Sequence, residues 1–165
     1  MSLSLIAAVG KNRELGKNGG LYFRIPGDLK FFKKTTMGYP VFMGLTTFYS
    51  LPKKLPGRKH YVAVFAPEAG LDEDITQVED IFAFAKEWQQ KEEEIFVIGG
   101  ASIYAQMLPF CDKLYLTEVE GGENDADVYF PKFNKRKYSR KTLGKGEDNG
   151  ISYKWVLYTK KPQQS

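Results

Sequence analysis

The chain has only one cysteine, Cys111, so no intramolecular disulfide can form. That suits a reducing, cytoplasmic setting. It also has only one histidine, His60. So few nitrogen and sulfur ligands argue against a structural zinc site, and no metal is expected. No apolar run is long enough to span a bilayer, so no membrane partner is expected. The first nine residues lack the basic start of a secretory leader and read as a strand. No P-loop, G-x-S-x-G elbow or H-E-x-x-H is present. Few side chains remain for nucleophilic or acid–base work, which points to chemistry carried by a bound organic cofactor.

What is present describes a soluble globular protein. Its 165 residues suffice for one domain, residues 1–165, with a real core. Hydrophobic residues make up 42% and charged residues 27%, an ordinary balance. The net charge of +4 is modest, and the basic residues are scattered. The densest basic run, residues 134–141, reads as a solvated strand or loop rather than a nucleic-acid patch.

Strands and helices alternate along most of the chain. Residues 3–9 form a nearly continuous apolar run, as in a strand covered on both faces. Residues 10–23 are polar and glycine-rich and read as a long functional loop. Further strands are expected over 40–43, 60–65, 75–78, 94–98 and 113–119. Helices are expected from Pro26, over 46–51, over 80–90 and over 101–108. The segments 137–143 and 151–159 flank a turn-rich stretch, 144–150, and read as an antiparallel hairpin. The expected fold is therefore α/β: a mainly parallel central sheet flanked by helices and finished by a C-terminal hairpin. Ligands bind such sheets at the carboxyl ends of the strands.

Four features carry candidate chemistry. Pro26 fits the first position of a helix, and Asp28 falls in its first turn, against the positive end of the helix dipole. Asp28, Phe32 and Thr35 share one helical face, with Leu29 adjoining, an arrangement suited to a flat, amphipathic ring. The turns at 44–47 and 99–102 each place small or hydroxylic residues at a strand-to-helix junction, where free N–H groups attract phosphate. Two such turns suggest a dinucleotide, although neither is a G-x-G-x-x-G fingerprint. Arg58, after a Pro-Gly turn, is a candidate for holding a carboxylate. Thr117, in an apolar strand, needs a hydrogen-bond partner, and a neighbouring carboxylate would serve.

The ordered set resembles dihydrofolate reductase. It comprises Ile6-Ala7-Ala8, Leu15-Gly16, Ile25-Pro26-Gly27-Asp28-Leu29 with Phe32-Lys33, Val41-Phe42-Met43-Gly44, Leu55-Pro56-Gly57-Arg58-Lys59, Val97-Ile98-Gly99-Gly100-Ala101-Ser102-Ile103-Tyr104, Leu114-Tyr115-Leu116-Thr117 and Asp127-Val128-Tyr129-Phe130-Pro131. The resemblance implies an NADPH-dependent reduction of dihydrofolate in a monomeric enzyme that antifolate inhibitors would also bind. Asp28 would hold the pterin, with Thr117 supporting it and Leu21 and Phe23 beside the reacting ring. Ile6, Ala7, Leu29, Phe32, Lys33, Leu51, Leu55 and Ile98 would line the folate pocket, and Arg58 would bind the glutamate tail. Ala8, Leu15, Gly16 and Asn18 would frame the nicotinamide. Gly44, Leu45, Thr46, Thr47, Val64, Phe65, Gly99, Gly100, Ala101, Ser102, Ile103 and Tyr104 would hold the rest of the dinucleotide, with a cis peptide between Gly99 and Gly100. Residues 10–24 would form a lid.

The chain departs from the family pattern in two places. Tyr22-Phe23 stands where a Pro-Trp pair is common, so the indole N–H there is absent. Leu45, Val64 and Phe65 stand where cationic or hydroxylic residues usually grip the 2′-phosphate of NADPH. Two alternatives are a riboflavin-pathway pyrimidine reductase and a catalytically weak folate- or nucleotide-binding protein. The helix acid and the Pro-Gly-Arg turn argue against the first. The intact Asp28, Gly99 and Gly100 argue against the second.

Overall fold

The apolar run at the start of the chain forms β1 (Leu3–Val9), whose residues are buried at all but one position. It lies inside an eight-stranded sheet in a computed structural model that describes residues 3–17, 20–21, 25–121 and 126–162. The other strands of this sheet are β4 (Val41–Gly44), β5 (His60–Ala63), β6 (Ile75–Val78), β7 (Ile95–Gly99), β8 (Lys113–Val119), β10 (Tyr138–Asp148) and β11 (Ile151–Lys160). Their order is β10-β11-β8-β1-β7-β4-β5-β6. Pairing from β8 through β6 is parallel, and β11 joins β8 antiparallel, as β10 does β11.

Side chains alternate across β1 and sort the core into two layers. Leu3, Leu5, Ala7 and Val9 pack with residues of α3 (Ile81–Gln89) and α4 (Ala101–Met107). Ile6 points the other way, toward α1 (Pro26–Thr36) and α2 (Leu45–Ser50). On the α3 side, Phe84 stacks on Phe42, and both Phe84 and Trp88 contact Tyr61. His60 is structural: its Nε2 accepts the Leu55 N–H at 3.0 Å, and burial lowers its pKa. Among the described residues no helix is long and apolar enough to cross a membrane.

Three expectations are corrected. The segment 10–23 is not all loop: it contains β2 (Glu14–Lys17) and β3 (Gly20–Leu21), which form a small sheet with β9 (Val128–Tyr129). Strand β5 ends at Ala63, so Val64 and Phe65 lie beyond it. The hairpin strand β10 continues to Asp148, so most of the glycine-rich stretch is strand rather than turn. The turn itself is only Asn149-Gly150, both at positive φ (53° and 80°). Gly144 and Gly146 serve packing: added Cβ atoms would lie 3.2 Å from the Trp155 ring and 2.5 Å from the Tyr153 hydroxyl. A register shift between Thr142 and Gly144 marks a bulge in the same strand.

Candidate active site

Helix α1 starts as its sequence requires, with Pro26 in its first turn and Ile25 as an extended N-cap residue that offers no capping side chain. The missing cap comes from the hairpin. Asp148 Oδ2 accepts the Gly27 N–H at 2.7 Å and the Tyr153 hydroxyl at 3.2 Å. One residue further on, Asp28 is partly buried. Its Oδ1 accepts the Thr117 hydroxyl at 2.5 Å and the Trp155 indole N–H at 3.1 Å. No described residue bonds to Oδ2.

The electrostatics of Asp28 are a contest. Burial pushes its pKa above the ordinary carboxylate value, the Thr117 and Trp155 hydrogen bonds pull it down, and the nearby Asp148 charge adds to the rise. The rise wins. Tyr104 reports the same environment from α4: burial raises its hydroxyl, helped by Asp28, and that hydroxyl donates to the Ile6 carbonyl at 2.7 Å.

Apolar residues flank the acid. Ile6 is buried at 5% exposure, and Phe31, Phe32, Leu51, Leu55 and Ile98 are half-buried in the same cluster. Ala7 faces the α3–α4 layer instead. Ala8 is half-buried and pairs with Thr117 across β1 and β8. Leu29 is 50% exposed and Lys33 is exposed, so both are on the open side of α1.

Arg58 is buried, yet no described carboxylate pairs with it. Its Nε donates to the Pro56 carbonyl at 3.0 Å, and its Nη1 donates to Thr36 Oγ1 at 3.1 Å. Burial lowers its pKa, and no described acid opposes the effect. A guanidinium held in place without a counter-charge suits an anionic ligand.

The two glycine turns converge at the ends of neighbouring strands β4 and β7. An added Cβ on Gly100 would meet Thr47 Oγ1 at 3.3 Å, and one on Gly44 would meet Ile103 at 3.1 Å. The Gly99–Gly100 peptide is cis. Gly99 has φ 122°, and an added Cβ there would lie 3.3 Å from the Tyr104 ring. Thr46 and Ser102 are exposed, Leu45, Thr47 and Ala101 half-buried, and Ile103 and Tyr104 buried. Val64 is buried and Phe65 is fully exposed. Leu15 is half-buried, Gly16 is buried, and the Leu21 backbone pairs with Gly16. Asn18 and Phe23 lie outside the described residues.

Three residues of this region carried no sequence signal strong enough to find them. Trp155 and Asp148 lie 127 and 121 positions from their partners in the chain. Glu14 is wholly buried next to Gly10. Its Oε1 accepts the Asn12 N–H at 2.6 Å, and its Oε2 is without a hydrogen-bond partner among the described residues.

Fold and rim together describe an α/β protein with an acid, an uncountered guanidinium and two glycine turns around the strand ends, where such sheets bind their ligands. Comparison with known proteins makes the assignment particular. The family model for dihydrofolate reductase matches residues 2–160. Dihydrofolate reductase of Bacillus subtilis is 34% identical over 164 residues, covering 96% of this chain and 95% of the relative. Dihydrofolate reductase type 3 of Salmonella typhimurium is 37% identical over 135 residues, covering 81% and 80%. Dihydrofolate reductase HdrB of Haloferax volcanii is 31% identical over 165 residues, covering 95% and 82%. The chain belongs to the dihydrofolate reductase family.

The raised pKa of Asp28 has a consequence for stability. A carboxyl group titrating higher in the folded than in the unfolded state favours folding in acid. That contribution is lost as pH rises through the folded value. Asp28→Asn has no charge to bury and keeps an acceptor for Thr117 and Trp155. It should therefore unfold at higher urea than the unmodified protein at pH 7. The gap should close as the pH is lowered below the carboxylate range. A variant less stable at pH 7, with a pH-independent difference, would contradict the assignment.

Proposed function

We propose that this chain reduces 7,8-dihydrofolate to 5,6,7,8-tetrahydrofolate with NADPH as the reductant. The observation that carries the reading is the Asp28 carboxylate, with Oδ1 held by Thr117 and Trp155 and Oδ2 accepting no bond from the described residues, in a rim with an apolar cluster. Such a group accepts paired N–H donors from one edge of a flat heterocycle. In this reading the Asp28 carboxylate accepts from pterin N3 and the 2-amino group. Ile6, Leu29, Phe32, Leu51, Leu55 and Ile98 hold the ring and tail, and Arg58 binds the terminal glutamate carboxylate. Antifolates that copy the pterin edge would compete for the same carboxylate.

The proximity of Gly100 and Thr47 supports a dinucleotide, because both strand-end turns can reach one pyrophosphate. Gly44, Thr46, Thr47, Gly99, Gly100, Ala101 and Ser102 would hold it, with Ala8, Leu15 and Gly16 near the nicotinamide. When bound, the dihydronicotinamide supplies a hydride. Reduction places that hydride on pterin C6 and a proton on N5. The part of Asp28 is electrostatic: its negative charge favours the N5-protonated, cationic pterin that accepts hydride most readily. The apolar wall excludes water and orients the two rings.

Adding dihydrofolate to the protein with NADPH should bleach the nicotinamide absorbance; no loss would overturn the reading. Arg58→Leu removes a charge-assisted contact worth about 1.5–3 kcal/mol. Its KM for dihydrofolate should rise about 10-fold or more. A pterin without the glutamate tail should be turned over almost as before. Equal losses on both substrates would remove Arg58 from the site.

The three side chains expected at the 2′-phosphate of the proposed cofactor site are not cationic. Leu45, Val64 and Phe65 are apolar, and Lys54 is tied to Asp72 and Asp74 at 3.0 and 2.8 Å. NADPH should therefore be preferred over NADH more weakly than is usual for the family. Leu45→Arg should tighten NADPH about 10- to 150-fold and leave NADH nearly unchanged. Measuring kcat/KM for both cofactors checks this. A strong NADPH preference that is insensitive to Leu45→Arg would place the phosphate elsewhere.

A further inference from the structure

Thr117 and Trp155 are direct register partners on neighbouring strands β8 and β11, so their side chains rise from the same face of the sheet. Both donate to one oxygen of Asp28. Two donors on Oδ1 fix the carboxylate plane and leave Oδ2 in a single orientation. The indole is itself tightly held. It stacks on Phe31 of α1 with centroids 4.8 Å apart and an interplanar angle of 10°. The Tyr153 ring meets it edge-on at 5.3 Å. Gly144 lies against it, where an added Cβ would come within 3.2 Å. A second tie runs from the same hairpin to the same helix turn: Asp148 Oδ2 accepts the Gly27 N–H at 2.7 Å.

We infer that the C-terminal hairpin is part of the catalytic apparatus: Trp155 is a positioning residue that aims the Asp28 carboxylate, and Asp148 anchors the helix turn that carries it. The inference rests on the reading of Asp28 as the substrate-binding acid. It assigns the indole N–H of this site to β11, in a chain whose segment before α1 carries Phe23 and no tryptophan. Other polar groups that act on Asp28 among the described residues are the Thr117 hydroxyl from β8, the Tyr104 hydroxyl from α4 and the Tyr153 hydroxyl from β11.

The two hairpin residues act on Asp28 with opposite sign. The Trp155 hydrogen bond favours the charged carboxylate, and the Asp148 charge disfavours it. A purely structural role for either side chain would not produce opposed shifts. The test uses Trp155→Phe, which keeps a ring against Phe31 and removes only the N–H. Its counterpart is Asp148→Asn, which keeps an acceptor for Gly27 and removes only the charge. The Asp28 carboxyl is titrated by carbon-13 NMR in the unmodified protein and both variants, with Asp28→Asn identifying the signal. The same proteins are assayed for kcat and KM across pH.

The midpoint should move up in Trp155→Phe and down in Asp148→Asn. In Trp155→Phe, kcat/KM for dihydrofolate at pH 7 should fall about 3- to 10-fold, the loss expected for one hydrogen bond. An unchanged Asp28 midpoint in a folded Trp155→Phe variant would overturn the inference. So would shifts of the same sign in both variants. Full activity of Asp28→Asn would instead overturn the underlying reading of Asp28, and the NMR midpoints would still report on the hairpin separately.

Discussion

One hydrogen-bonded oxygen, Asp28 Oδ1, ties together three parts of the chain that are far apart in sequence. It joins the first turn of α1 to the middle of β8 and to β11. A carboxylate taken out of water at this depth is costly unless donors compensate it. Among the described residues two donors do so, both on Oδ1. The uncompensated side is where a ligand with paired N–H groups gains most. The same arrangement raises the Asp28 pKa and underlies its proposed role in binding.

The rest of the molecule can be understood as support for that arrangement. The parallel strands bring β1, β4 and β7 to a common edge, so Ile6, Gly44 and Ile98 lie near one another although they are scattered along the chain. Tyr104 spends its hydroxyl on the Ile6 carbonyl, which links α4 to β1 directly beneath the site. Arg58 is held by Thr36 and Pro56 rather than by an acid, so its charge remains available at the far end of the same rim. In the proposed function acid and guanidinium serve opposite ends of one ligand.

Much of this was legible in the sequence, for local reasons. Pro26 marks the first turn of α1, and apolar spacing at 81, 84, 85 and 88 matches α3. The requirement of a buried threonine for a partner pointed from Thr117 to a carboxylate, and that partner is Asp28. The hairpin was legible as a hairpin but not as part of the site. Its glycines look like turn residues, whereas Gly144 and Gly146 make room for Trp155 and Tyr153. Contacts spanning more than a hundred residues leave no periodic signal, so Asp148 and Trp155 could not be found from spacing. Glu14 was hidden for a related reason: a charged residue in a polar stretch reads as solvated, whereas here it is buried in β2, which pairs with β9.

Asp28 is proposed to favour the reduction through its negative charge and not only through its shape. The most direct measurement is the turnover of Asp28→Asn with dihydrofolate and NADPH from neutral to acidic pH. Asparagine keeps the acceptor for Thr117 and Trp155 but loses the charge. The account predicts a folded protein with most of its activity gone at pH 7, partly recovered at lower pH where dihydrofolate is itself more protonated. Near-normal turnover at pH 7 would contradict it.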